Sequence, residues 1–315
     1  MNYEKEIEQL DLFFKTKEWI QVLKESFNYE DKSFSTKKSF LSLTLVRSKI
    51  FGDRLISIPF TGNMGGLINN KELDIEIKSF FCSSKYPILI KTISPNKNYP
   101  NQMITEDKQF LLNIKPNKEK IFNNINKKVR NIIRKTENNN FEFEVCKNKK
   151  AINDLYEMHI KKIKEFGSFP FPKKFFINLL KIYEDKANIV SCLYKKKRIA
   201  SFLILKKDKI AVWYTAVSLE KYKNLNPTTW LLWKTILWLK EDKYEFLNLG
   251  ASSKNSGTYE FKKKLNPIIL DTYEVIIGTN KKINASKKNS IKKLWKKMPP
   301  FIIKIFGPFI TKNLG

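Results

Sequence analysis

The spacing of apolar and polar positions divides the chain into alternating helical and extended segments. Within residues 4–25, Ile7, Leu10, Phe14 and Leu23 recur near helical spacing and predict an amphipathic helix. Residues 40–46 and 55–60 are rich in apolar and β-branched side chains, flank a turn at Gly52 and Asp53, and read as a β-hairpin. The loop 61–66, a helix through Leu73, Ile77 and Phe80, and strands at 86–93 and 109–114 follow. Pro116 then opens a helix whose apolar stripe is Ile121, Phe122, Ile125, Val129 and Ile132. Lys127, Arg130 and Arg134 fall one above another on its other face. A strand at 141–145 closes this first block.

The second block begins near Ala151 with a helix that ends at Gly167, a turn around Pro170 and Pro172, and a helix over 175–183. Residues 189–194, 199–205 and 210–217 predict three antiparallel strands. Asn226 is a good N-cap and Pro227 a good first residue for the next helix, 228–240. That helix is apolar nearly all round and belongs in the core, against a sheet extended by strand 244–249. A last strand covers 268–277, followed by a lysine- and asparagine-rich linker at 280–290. The segment 291–314 alternates lysines with Trp295, Phe301, Ile302, Ile303, Phe306 and Phe309. It suits either a membrane interface or docking on the first domain.

The strand at 244–249 breaks at Gly250 into a polar loop, 252–257, which leads to Tyr259, Phe261, Lys262 and Lys263. A Ser-, Asn- and Gly-rich loop leaves backbone N–H groups free to cradle an anion, and the lysines add compact positive charge. A solvated turn before a lysine-rich helix fits the same residues. The loop around Gly62, Gly65 and Gly66 likewise fits a phosphate loop or a plain tight turn.

At 315 residues the chain has ample length for one large or two ordinary domains. With 60 Lys and Arg against 31 Asp and Glu, the formal charge is +29, and the pI is about 9.8. This charge favours polyanionic partners such as RNA, anionic lipid or phosphate-bearing substrates. Arginine occurs only at 47, 54, 130, 134 and 198, so lysine carries nearly all of it. Cys82, Cys146 and Cys192 form neither a metal spacing nor a disulfide framework, which favours a reducing, cytoplasmic setting. A single histidine, His159, excludes a multi-histidine metal site and reads as packing or surface. No metal is expected. The N-terminus has no signal-peptide core, and no apolar run reaches the roughly 20 residues that span a bilayer.

The pattern Asn248-Leu-Gly-x-Ser-Ser-x-x-Ser-Gly-Thr-Tyr-x-Phe-Lys-Lys263 resembles the signature of FemAB-type proteins, the peptidoglycan-bridge aminoacyltransferases and their exopolysaccharide-associated relatives. Ile58-Pro-Phe-Thr-Gly-Asn-Met-Gly-Gly66 and Lys127-Lys-Val-Arg-Asn-Ile-Ile-Arg-Lys135 are similar to the same family, in the same order. The resemblance covers roughly residues 40–267. It implies an α/β (α+β) fold of two N-acetyltransferase-like (GNAT-like) domains, each a mixed, mostly antiparallel sheet flanked by helices. The expected division is 1–147, 148–279 and a basic tail, 280–315. It further implies an acyltransferase that forms an amide bond on a nucleotide- or lipid-linked glycan precursor of the cell envelope, in the cytoplasm or at the inner membrane face. Aminoacyl-tRNA is the expected co-substrate, with no tightly bound cofactor.

By that resemblance, Lys262, Lys263 and Tyr259 hold acceptor phosphates and line the pocket, while Ser252, Ser253 and Gly257 shape the loop. Arg130 and Arg134 meet acceptor or RNA phosphates. No general base is identified. Tyr214 and Trp230 are candidates for the pocket wall or the core. Ordinary acetyl-CoA enzymes carry a glycine-rich loop before the helix that starts here at 228. Residues 222–230 contain no glycine, so close backbone approach to a pyrophosphate is harder. Acyl-CoA use, or a non-catalytic protein binding RNA or membrane, are the alternatives.

Overall fold

The computed structural model describes residues 3–37, 40–66, 75–94, 99–278, 295 and 298–315. The linker expected at 280–290 and Leu73 lie outside the described residues. The chain divides into two compact units. The first comprises Met1–Asp107, Lys164–Asn178 and Asp271–Gly315; the second comprises Lys108–Ile163 and Leu179–Leu270. The boundary expected near 145–151 falls inside the second. The architecture is α/β (α+β), with mostly antiparallel sheet flanked by helices.

In the first unit, helices α1 (Glu4–Asp11) and α2 (Lys17–Phe27) replace the single helix expected over 4–25. Thr16 makes the break. Its backbone is extended, and its side chain accepts the Trp19 N–H at 3.2 Å, capping α2. The strands are β1 (Glu30–Asp31), β2 (Phe34–Ser35), β3 (Phe40–Leu41), β4 (Thr44–Val46), β5 (Arg54–Ile56) and β6 (Ile88–Thr92). Two longer strands, β7 (Gln102–Asn113) and β13 (Ile268–Ile277), contribute their residues on this unit's side of the division. The order is β1-β4-β5-β6-β13-β7, while β2 and β3 pair separately. Leu41, Leu43, Leu45, Ile88, Ile90 and Val275 build the core, with Ile77 and Phe81 of helix α3 (Ile75–Ser83).

The loop after β5 is held by packing. Ile58, Phe60 and Asn63 have left-handed backbones, at φ 44°, 66° and 72°. Phe60 sits among Phe27 and Phe171, at ring distances of 5.0 and 5.1 Å, and Pro59 O accepts the Trp19 indole N–H. A Cβ on Gly66 would lie 2.3 Å from Thr92 Oγ1. The glycine there answers to close approach, the tight-turn reading of this loop.

In the second unit the helices are α4 (Lys118–Asn124), α5 (Lys127–Thr136), α6 (Lys149–Phe166), α7 (Lys173–Ile182), α8 (Pro227–Glu241) and α9 (Gly257–Lys263). The ends of α6 and α7 that face each other along the sequence belong to the first unit. Strands β8 (Glu142–Cys146), β9 (Ala187–Tyr194), β10 (Lys197–Lys207), β11 (Ile210–Ser218) and β12 (Phe246–Ser253) follow β7 in the sheet order β7-β12-β11-β10-β9-β8. From β8 to β11 each neighbouring pair is antiparallel. Lys195 and Lys196, both left-handed, turn β9 into β10. The crossover helix α8 makes β11 and β12 parallel. As its composition predicted, α8 is buried, through Trp230, Leu231, Leu232, Trp233, Ile236 and Leu239 among others.

The helix expected after Pro116 is broken in two. Ile125 is extended, the Asn126 side chain accepts the Lys128 N–H at 2.9 Å, and Asn126 N donates to Lys264 O at 2.9 Å. The break shifts the stripe, so Ile133 is buried where Ile132 was expected. Asn226 occupies the N-cap position of α8 but makes no capping bond through its side chain, because its backbone is left-handed.

His159, on α6, is only 2% exposed. Burial disfavours its charged form and lowers its pKa from 6.5 to about 3. The folded state therefore binds fewer protons than the unfolded state between those values, and its contribution to stability falls as pH drops below about 6.5. From pH 7.5 to 5.5 this one group should remove about 1.4 kcal/mol. Because the chain has one histidine, its imidazole proton resonance isolates the group. That resonance should stay unshifted from pH 8 to 5, and a titration near 6.5 would contradict the assignment.

Candidate functional site

The parallel strands β11 and β12 pair at three positions only: Ile210 with Phe246, Ala211 with Leu247 and Val212 with Asn248. Past these, β11 continues to Ser218 and β12 to Ser253, outside their shared ladder. The edge that β12 turns towards β11 is shaped by Gly250. Its φ of +76° suits glycine, and its N–H donates to the side chain of fully buried Asn248 at 2.8 Å. The strand expected to stop at Gly250 runs on through this kink to Ser253.

Lys262 lies under the kink. The residue is 8% exposed, and its ammonium donates to Gly250 O at 3.0 Å, Ala251 O at 3.1 Å and Ser252 Oγ at 2.8 Å. It also lies 5.4 Å from the centre of the Phe110 ring on β7. An ammonium has three N–H donors, and the chain's own oxygens engage three. The lysine expected to hold acceptor phosphate is thus a buried charge that fixes the end of β12.

The other expected residues surround it. Ser252 is buried and bonds Lys262, while Ser253 and Gly257 are exposed. Tyr259 is half-buried, with its ring edge-on to Phe110 at 5.2 Å. Ser256 caps α9, its side chain accepting the Tyr259 N–H at 3.1 Å. Lys263 is exposed at the end of α9. The bond from Asn126 N to Lys264 O joins this end to the start of α5. Two basic segments therefore adjoin: Lys263 of α9 with its C-cap Lys264, and Lys127 and Lys128 of α5.

Arg130 and Arg134 extend along α5. Arg130 donates to the Asn123 side chain at 3.2 Å, and the Arg134 guanidinium lies 5.2 Å from the centre of the Phe122 ring. Trp230 belongs to the core. Desolvation holds the Tyr214 phenol well above its ordinary pKa. The motif held Asn248 and Ser256 without assigning them roles, and none was anticipated for Phe110, Asn248, Ser256 or Asn126. The capping preference of serine and asparagine could have signalled the last two.

Past their three paired positions β11 and β12 leave each other's backbone groups unpaired, and the buried Lys262 ammonium sits at the end of β12. That arrangement suits acyl transfer. Residues 123–263, which contain this site, match the family model described as Acetyltransferase (GNAT) domain. The chain thus carries an acyltransferase domain of the GNAT class.

The chain is similar in fold to FemX, with a TM-score of 0.63 at 9% identity, over 93% of this chain and 98% of that one. It is also similar in structure to L-PGS from Bacillus licheniformis, with a TM-score of 0.57 at 14% identity over 92% and 97%. A third similar structure is the C-terminal domain assigned to a lysylphosphatidylglycerol synthetase from Agrobacterium fabrum, with a TM-score of 0.55 at 11% identity over 93% and 95%. A search of curated proteins finds no match.

Replacing Lys262 with alanine removes charge-assisted hydrogen bonds worth about 1.5–3 kcal/mol each in typical cases. Denaturant unfolding should show Lys262→Ala destabilised by at least about 1.5 kcal/mol, and Lys264→Ala within about 0.5 kcal/mol of wild type. Equal, small effects would mean that the ammonium does not hold the kink.

Proposed function

We propose that the protein is an aminoacyltransferase that takes its acyl group from aminoacyl-tRNA and forms an amide on an amine of a nucleotide- or lipid-linked cell-envelope precursor. The observation that carries this reading is the buried Lys262 charge at the end of β12, beyond its ladder with β11, together with the adjoining basic segments at the end of α9 and the start of α5. A polyanionic donor matches those segments, with Arg130, Arg134 and Lys263 meeting phosphates. The lysylphosphatidylglycerol synthetase domain among the structural relatives is consistent with an aminoacyl group placed on an envelope component.

In the reaction the acceptor nitrogen attacks the ester carbonyl. A C–N bond forms, the ester C–O bond breaks, the amine gives up a proton and the departing ribose oxygen gains one. Lys262, whose three donors are all taken, acts through its fixed positive charge, which favours the oxyanion that develops on the carbonyl without donating to it. Ser252 and the carbonyls of Gly250 and Ala251 hold the ammonium in place beforehand, so little reorganisation accompanies the step. Tyr259, packed edge-on against Phe110, would line the acceptor side of the site.

The stretch before α8 supports a donor other than acetyl-CoA. A 3-10 turn over Glu220–Leu225 leads through left-handed Asn226 to Pro227, which has no N–H, and none of these residues is a glycine. Close backbone approach to a pyrophosphate is therefore harder along that stretch. CoA-dependent transfer is the second reading, favoured by the GNAT domain match itself.

Purified protein should transfer a labelled amino acid from charged tRNA to an envelope-precursor fraction, and should show no thermal stabilisation by millimolar CoA. Lys262→Met should lower the transfer rate about a hundredfold or more, with Lys264→Ala close to wild type. Transfer from acetyl-CoA but not from charged tRNA would establish the second reading. Transfer from neither donor, with salt-sensitive RNA binding, would leave a binding protein.

A further inference from the structure

The last described helix, α10 (Pro300–Leu314), belongs to the first unit, which anchors it firmly along one side. Ile303, Gly307, Thr311 and Asn313 are its buried positions. A Cβ at Gly307 would stand 2.5 Å from Pro170 Cδ, and Thr311 Oγ1 donates to Pro170 O at 2.8 Å. At its C-terminal end the Tyr29 hydroxyl donates to Lys312 O at 2.6 Å and Arg54 donates to Asn313 O at 2.9 Å. These donors satisfy carbonyls that a helix end leaves open, and the guanidinium favours the negative end of the dipole.

The opposite side is apolar and exposed. Phe301 is 63% exposed, Ile305 66%, Phe306 56% and Phe309 58%. Phe301, Ile305 and Phe309 follow one another at intervals of four, with Phe306 beside them, so the four form one continuous stripe. Such a stripe on a docked helix marks an interaction surface rather than scattered surface residues.

We propose that this face of α10 docks on an anionic lipid bilayer, with the helix lying in the plane of the interface. Charge selects the partner. Residues 279–315 contain ten lysines and no aspartate or glutamate, and the chain as a whole carries +29. A second copy of so basic a chain is repelled, whereas an anionic headgroup layer is attracted. A phenylalanine and isoleucine stripe has nothing to pair with on a phosphate backbone but buries well at the headgroup–acyl boundary. No helix among the described residues is long and apolar enough to cross a membrane, so the contact is with the surface. This inference concerns where the protein acts and holds whichever acyl donor it uses.

The test is co-sedimentation of the full chain with vesicles of phosphatidylcholine alone, or of phosphatidylcholine and phosphatidylglycerol at about 3:1, at low and high salt. Wild type should bind the anionic vesicles, and less so at high salt. The triple variant Phe301→Ser, Phe306→Ser, Phe309→Ser should bind at least tenfold more weakly. The control Met103→Ser, Ile104→Ser changes exposed apolar residues on β7 and should bind within twofold of wild type.

Should the triple variant fail to fold, Phe309→Trp provides an independent readout: its added fluorescence should be quenched by vesicles of brominated lipid. Three results would overturn the proposal: no binding to anionic vesicles, undiminished binding by a folded triple variant, or a dimer that the triple variant abolishes while vesicle binding persists.

Discussion

The burial of one ammonium group constrains much of the second unit. A cation taken out of water is costly unless its donors are met, and Lys262 meets its own with two backbone carbonyls and a serine hydroxyl. Those acceptors are available only because Gly250 turns the backbone through a left-handed conformation. The same contacts tie α9 to β12, and the end of α9 in turn holds Asn126, where α5 begins. The kink, the break between α4 and α5, and the placement of the basic residues are thus mechanically linked. A conservative change at Gly250 should be felt as far as Arg130.

Arginine usage follows a related logic. In a chain whose positive charge is almost all lysine, every arginine has a defined geometric partner. Arg54 reaches the carbonyls that end α10, and Arg47 bonds Glu30 and Asp53. Arg198 joins Asp154 to Glu144, linking α6 and β8 to β10. Arg130 and Arg134 are oriented by Asn123 and Phe122. A planar fork suits fixed directions, whereas lysine supplies diffuse charge. The two arginines on α5 are therefore oriented groups on a charged face.

Much of the second unit was legible in the sequence, because strongly periodic runs such as α8 and the three strands β9 to β11 carry their own signal. The missed features depend on distant partners. Apolar spacing ran smoothly through Thr16 and Ile125, where caps broke the helices, and only a contact to Lys264 explains why Asn126 departs from the helix. The family-like motif did mark the segment around Lys262. It did not reveal that the lysine is buried, since that requires Phe110, about 150 residues earlier, on a neighbouring strand. In a chain so rich in lysine, composition offered no means of separating one buried ammonium from the solvated ones.

The interleaving of the two units has a consequence for biosynthesis. β6 pairs with β13, so Thr92 must find Tyr273, roughly 180 residues further along. Polypeptides are made at about 5–20 residues per second, leaving β6 without this neighbour for about 10–40 s on the ribosome. During that time Ile88 and Ile90, both buried in the finished fold, have an unpaired edge beside them. The second unit, all of whose residues lie between Lys108 and Leu270, can assemble first. The earlier-made half of the chain is therefore the later to mature, and is the part a chaperone would be asked to shield.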